Sequence, residues 1–371
     1  MRTAMTDLVS SEYPIFAFSH CRDVVAAVTN AGGFGVFGAT GRSAGDVDTD
    51  LVWLDEHTRG SYGLDLLLPQ KFGVPGSAGD LPALPPGHVA FLEELMAKYD
   101  VPPLPDDDAV RLRARAKRAG QMMDDAAEVW DIAGAHNVSV YVSALGAPPP
   151  HLVEQAHERG GVVGGLVGAV PHAARQLNSG IDFVVAQGTE AGGHCGEIAT
   201  MVLVPDIVDV MGSIPVLAAG GIATGRQMAA ALALGAAGVW TGSVWLTTHE
   251  AETQPAVKEK FLAASSSDTV RSRSSTGKPA RQLRTAWTME WEDPANPDPL
   301  GMPMHGALIG EAKARIARGS HVSGSGAQEL ANYFVGQVVG RLTTVKSSRQ
   351  VVEEMVSEYI DVMERLEKIN S

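Results

Sequence analysis

Short apolar runs separated by segments of helical period account for most of the chain. Three of them, residues 183–186, 215–219 and 236–240, are apolar on both faces, as strands of a parallel sheet covered on both sides must be. Each runs into small or polar residues: Gln187-Gly188, Gly220-Gly221 and Thr241-Gly242-Ser243. Between the second and third, the Ala- and Leu-rich stretch 224–234 reads as a helix that Thr224 can cap and Gly235 can end. Earlier runs predict five more strands, at 13–18, within 31–39, and at 61–68, 138–145 and 161–167. Helical segments such as 23–30 and 151–159 lie between them. Eight strands alternating with helices predict an α/β fold, a closed parallel (β/α)8 TIM barrel.

Three regions depart from the alternation. A helical insertion spans 70–137, between strands three and four; it is Pro- and Gly-rich at 74–87 and reads as a helix at 88–99. From about Asp107 a long helical stretch carries Arg111, Arg113, Arg115, Lys117 and Arg118, read as a solvated basic face. The insertion would serve as a lid or as a homodimer contact. Residues 265–303 are polar and without period, and are expected to form an ordered loop against the barrel mouth. Beyond them, residues 326–371 read as helices packed on the barrel, at 327–339 and 348–368. In the second, Val352, Met355, Val356, Tyr359, Ile360 and Met363 share one face, expected to be core. A single domain is expected over 1–371.

Composition narrows the function classes. A net charge of −14 argues against a nucleic-acid surface. Two cysteines in 371 residues suggest a reducing compartment rather than a disulfide scaffold. Charges such as Asp206 and Asp209 interrupt the apolar regions before they could span a bilayer, and MRTAMTDLVS lacks the pattern of a secretory signal. A cytoplasmic enzyme acting on a small molecule, with no nucleic-acid or membrane partner, is the expectation.

Barrels of this kind bind ligands at the carboxyl ends of their strands and often hold a phosphate after strands seven and eight. Gly220-Gly221 and the turn 240–243 stand there, with a helix N-terminus at 222–226 to favour an anion. His194 sits in the glycine-rich loop after strand six, and His20 follows strand one. His20-Cys21 and His194-Cys195 match no zinc spacing, so no metal is expected and His20 is placed in the substrate pocket.

NAGGFGVFGA, AQGTEAGGHCG, PVLAAGGIATGRQMAAALALGAAGVWTGS, STGKPARQLR and YFVGQVVG together resemble the nitronate monooxygenase (2-nitropropane dioxygenase) family of FMN-dependent TIM barrels. The match spans nearly the whole chain outside 70–137, and its motifs are shared with FMN-dependent enoyl-thioester reductases. The resemblance implies that Gln187 and Gly192 contact the flavin, and that Gly220, Gly221, Trp240, Thr241, Gly242 and Ser243 hold its phosphate. It makes His194 the active-site histidine. Asp65 is placed beside the flavin where many members have asparagine, and 17–21 replaces an Ala-Pro-Met segment. An ionised carboxylate at Asp65 would disfavour a reduced, anionic flavin unless protonated or paired. Glu190 is read as a helix-capping or loop-bracing carboxylate.

The activity implied is FMN-dependent oxidation of alkyl nitronates, and by extension nitroalkanes, by O2 to a carbonyl compound and nitrite. Imidazole titrates near working pH and can take the α-proton of a neutral nitroalkane. The alternatives are an NAD(P)H-dependent FMN reductase of an enoyl thioester or quinone, and a flavin-binding protein without turnover. No separate dinucleotide fingerprint supports the former.

Overall fold

The computed structural model of the chain describes residues 1–68, 82–108, 122–144 and 146–370. Eight strands close in chain order: β1 (Ile15–Ser19), β2 (Phe34–Gly38), β3 (Tyr62–Leu66), β4 (Val138–Ser143), β5 (Val162–Val167), β6 (Phe183–Gln187), β7 (Val216–Ala219) and β8 (Gly238–Thr241). Each is parallel to the next, and β8 returns to β1 with Trp240 opposite Phe16. Every strand falls on an expected run, and the fold is the (β/α)8 barrel.

Alternate strand residues point inward. Phe16, Phe34, Val36, Val140, Val142, Phe183, Val185, Leu217 and Trp240 form one buried cluster that fills the barrel. Gly164 makes room for that filling, since a Cβ there would stand 2.3 Å from the Phe183 ring. The helix Ala4–Val9 closes the amino end by sending Met5 and Val9 into the same cluster, and Thr3 Oγ1 donates to Ala237 O at 2.6 Å. Ligand access is therefore left at the carboxyl end. A second, larger cluster lies between the strands and the surrounding helices.

Inside the insertion, helices run over Pro86–Lys98 and Met122–Ala133. The basic run 111–118, most of the Pro/Gly-rich stretch and Leu145 lie outside the described residues. The first of these helices is tied to the helix Met304–Gly319 by Arg315, which reaches Glu93 at 3.0 Å and donates to Val101 O at 2.7 Å.

Three expectations need correction. Residues 265–303 are not merely loop: β9 (Thr269–Ser272) and β10 (Ala280–Leu283) form an antiparallel pair, followed by the helix Ala286–Glu292. Residues 327–339 are not one helix. The helix Gly326–Leu330 stops, the chain runs on through an isolated bridge between Phe334 and Gln282, and a 3-10 turn resumes at Gln337–Arg341. Hydrogen bonds to the hairpin decide this: Leu283 N donates to Tyr333 O at 3.1 Å, and Asn332 Nδ2 to Leu283 O at 2.7 Å. In the last helix, Ser348–Asn370, Val352 and Met355 are buried, but Ile360 and Met363 are 48% and 45% exposed. No helix among the described residues is long and apolar enough to cross a membrane.

Candidate active site

A cavity of about 840 Å³ opens at the carboxyl end of the barrel. The last inward side chains of the strands form its floor: Phe18 of β1, Asp65 of β3, Leu166 of β5, Gln187 of β6, Ala219 of β7 and Trp240 of β8. Phe18 and Trp240 stack at 6.1 Å. His20, Gly192, His194, Gly220, Gly221, Thr241, Gly242 and Ser243 also line it, so the structure gathers every expected catalytic, cofactor and substrate-pocket residue around one space.

Gly220 and Gly221 turn the chain after β7 with φ of +102° and +70°, conformations that disfavour any side chain. A Cβ on Gly220 would stand 2.8 Å from Thr200 Oγ1 and 3.0 Å from Gly188 O. The bare backbone therefore faces the cavity. The helix Gly225–Ala233 that follows caps itself: Thr224 Oγ1 accepts from Gln227 N, and Gln227 Oε1 accepts from Ala223 N. Of the expected anion-binding terminus at 222–226, only Ile222 reaches the cavity. After β8, Thr241 turns its hydroxyl away to Phe16 O at 3.0 Å, so it faces the cavity chiefly through its backbone. Ser243 Oγ accepts from Gly336 N at 2.8 Å.

The loop after β6 is held from two sides. Glu190 accepts from Thr200 N at 3.0 Å and from Thr200 Oγ1 at 2.8 Å, bracing the first turn of the helix Thr200–Met211. Gly193 exchanges both backbone hydrogen bonds with Arg281 of β10. A Cβ on Gly192 would stand 2.8 Å from Gly336 N, so two glycines let the loop and the returning chain touch.

His194 takes its geometry from this frame. Its Nδ1 lies 3.1 Å from Pro279 O; a carbonyl only accepts, so Nδ1 carries the hydrogen and Nε2 is an unprotonated acceptor. Burial lowers its pKa from the usual 6.5, and nearby Lys278 pushes the same way against the Pro279 hydrogen bond. His20 repeats the arrangement, with Nδ1 2.7 Å from Gly38 O and a pKa also lowered chiefly by burial. The cavity thus carries two neutral imidazoles whose Nδ1 atoms are committed to carbonyls. Neither belongs to the one grouping of three metal-ligand side chains among the described residues, Cys21, Asp23 and Glu252.

Three residues stand out among the contributors that sequence reasoning missed. Tyr333 and Phe334 line the cavity from the chain that returns along the hairpin. Lys313 lines it from Met304–Gly319, a helix not anticipated. Leu308, Ile309, Ala312 and Ile316, all buried, carry the helical period that could have revealed it. Lys313 Nζ lies 4.5 Å from the Trp287 ring centroid and has no carboxylate partner among the described residues. Desolvation lowers its pKa to about 7. Arg42, the other strong cation in the wall, is already paired with Asp50.

A family model described as nitronate monooxygenase matches residues 2–358. The chain belongs to the nitronate monooxygenase family. It is 54% identical over 377 residues to Rv1533 of Mycobacterium tuberculosis, a protein that carries the name of a monooxygenase, with 99% of each chain covered. A Staphylococcus saprophyticus protein named as a nitronate monooxygenase is 30% identical, covering 98% of this chain and 99% of its own. Among solved structures, FabK from Thermotoga maritima is 28% identical with a TM-score of 0.72, covering 100% and 99% of the two chains. A nitroalkane oxidase from Streptomyces ansochromogenes shares the fold at a TM-score of 0.79 and 24% identity, covering 98% and 100%.

As a nitronate monooxygenase family member, the protein is an FMN-dependent oxidoreductase acting on a small molecule. The cavity fits that cofactor. The Gly220–Gly221 turn presents bare backbone to the cavity, as a phosphate site would need, and the floor offers a largely apolar surface to a flat ring.

Proposed function

We propose that the protein oxidises alkyl nitronates, and nitroalkanes after removal of their α-proton, with O2 to a carbonyl compound and nitrite. The observation that carries this reading is His194: a neutral imidazole whose Nδ1 is fixed on Pro279 O while Nε2 is left to accept a proton at the mouth of a cofactor cavity.

Bound FMN supplies the redox chemistry, taking electrons from the substrate carbon with O2 as the final acceptor. Gly220, Gly221 and the turn from Trp240 to Ser243 would hold its phosphate; Gln187, Gly192 and Asp65 would border its ring. His194 Nε2 takes the α-proton of a neutral nitroalkane, and Pro279 O stabilises the imidazolium that results. For a substrate that arrives as nitronate, the same ring orients the anion. The apolar share of the walls keeps water from the reacting carbon.

Lys313 offers positive charge to the anion. Replacing it by methionine (Lys313→Met) is expected to raise KM for an alkyl nitronate about tenfold, with little change in kcat. Only the ammonium attracts an anion, so nitronate binding in the native protein is strongest below the Lys313 pKa of about 7 and weakens as pH rises through it. Steady-state kinetics on both proteins across that range checks this; a pH dependence of KM that survives in Lys313→Met counts against it. His20→Ala is expected to change KM while flavin content per chain stays the same, read from the absorbance ratio of purified protein.

Anaerobic mixing of the yellow protein with propyl nitronate, and separately with NADH and NADPH, tests the proposal. Bleaching of the flavin band by nitronate alone supports it. Bleaching by a nicotinamide alone turns the assignment to a reductase of an enoyl thioester or quinone.

A further inference from the structure

Asp65 is a carboxylic acid in a place that offers an ionised one no support. It stands on the inward side of β3, is 3% exposed, and lines the cavity floor. Its neighbours in the sheet are Gly38 of β2 and Val142 of β4, and the barrel layer beneath holds Val36 and Val140. Among the described residues no side chain forms an ion pair or a hydrogen bond with its carboxyl.

The titratable groups around it are accounted for elsewhere. On the β2 side, His20 is bonded to Gly38 O, and Arg42 is committed to Asp50. On β3 itself, the Tyr62 hydroxyl points outward to Asp55 at 2.8 Å, and β4 presents Val142 and Ser143. Across the cavity stand Cys21, Glu190, His194, Glu252 and Lys313. None of these perturbs Asp65: burial alone pushes its pKa far above the ordinary carboxylate range.

We propose that Asp65 is a neutral acid that donates a hydrogen bond to a carbonyl oxygen or unprotonated nitrogen of the flavin ring, which makes retention of the cofactor depend on pH through this one carboxyl. This rests on the assignment of FMN to the cavity. A ring seated over Asp65 removes the remaining access to water, and so penalises the ionised form further. A neutral acid also avoids the repulsion that a carboxylate would exert on a reduced, anionic ring. By linkage, the form that binds is the protonated one. Affinity is full below the pKa of the cofactor-free protein and falls as pH rises through it, until the higher pKa of the complex is passed.

The holoenzyme is diluted at a series of pH values from about 6 to 9.5, and the fluorescence of released flavin gives the dissociation constant at each. Once Asp65 ionises, the native protein is expected to lose affinity by about tenfold per pH unit. Asp65→Asn, which keeps a donor and cannot ionise, is expected to follow only the titrations common to both proteins, those of the flavin's own phosphate and of Lys313. Equal slopes in the two proteins, or tighter binding by the native protein at high pH, overturn the proposal. Should Asp65→Asn fail to fold, the native protein still decides. The infrared difference spectrum of flavin release must contain a protonated-carboxyl band that shifts in deuterium oxide, and its absence overturns the proposal. A preparation that holds no flavin at any pH would instead refute the cofactor assignment, so the two failures are distinguishable.

Discussion

His194→Asn is expected to lower kcat/KM for a neutral nitroalkane by about a hundred- to ten-thousandfold, the usual contribution of a positioned general base. With the matching preformed nitronate the loss should be no more than about tenfold, because no proton has then to be removed and the ring only orients an anion. Flavin content should not change. Asparagine can still donate toward Pro279 O, which keeps the loop after β6 in place, but it offers no basic nitrogen at the position of Nε2. The measurement is nitrite release from nitroethane and from ethyl nitronate, side by side, in both proteins. The pH profile carries the sign. Catalysis by the base needs the neutral imidazole, and burial has lowered its pKa below 6.5, so the rate with nitroalkane should rise with pH and level off on the acid side of neutrality. Equal losses with both substrates would remove the base role and leave His194 as a binding residue.

Why the barrel and its site could be read from the chain, and the surrounding elements only in part, follows from what each signal measures. Strands covered on both faces must be apolar on both faces, so β6, β7 and β8 announced themselves, and the glycines behind them marked where backbone must come close to a ligand. The stretch through Tyr333 and Phe334 carried no such information. A short apolar run satisfies a helix and a strand equally, and its conformation is settled by partners distant in sequence, Leu283 and Ser243, which bond to it across the structure. The last helix was over-read for a related reason. Its buried stripe, Val351, Val352, Met355 and Val362, packs on the helices Gly225–Ala233 and Arg22–Asn30 and is narrower than the apolar face read from the period, so Ile360 and Met363, rotated to its flank, are left outside. Lys313 shows a limit of residue type. A lysine on an amphipathic helix is by default a surface group, and only the fold reveals that this one faces the cavity with no carboxylate paired to it among the described residues.

Gly220→Ala is expected to empty the site while the barrel remains folded. The substitution places a side chain at a φ of +102°, and its Cβ meets Thr200 Oγ1 at 2.8 Å and Gly188 O at 3.0 Å. One contact is a hydroxyl on the turn that Glu190 braces and the other is main chain, so neither can move aside without disturbing the loop after β6. Strain of this kind costs about 2 kcal/mol, which corresponds to roughly thirtyfold weaker FMN binding if relief comes from turning the 220–221 peptides away from the phosphate. The purified variant should then be pale, with a far-ultraviolet circular dichroism spectrum like that of the native protein, and colour should return on titration with FMN. Gly324→Ala provides the control: it has a φ of +72° and open space around its Cβ, so it bears comparable backbone strain without contact with the cavity. That variant should be destabilised slightly and stay yellow. If both variants keep their flavin equally well, the phosphate is held elsewhere, and the assignment of Gly220 and Gly221 as its cradle is wrong.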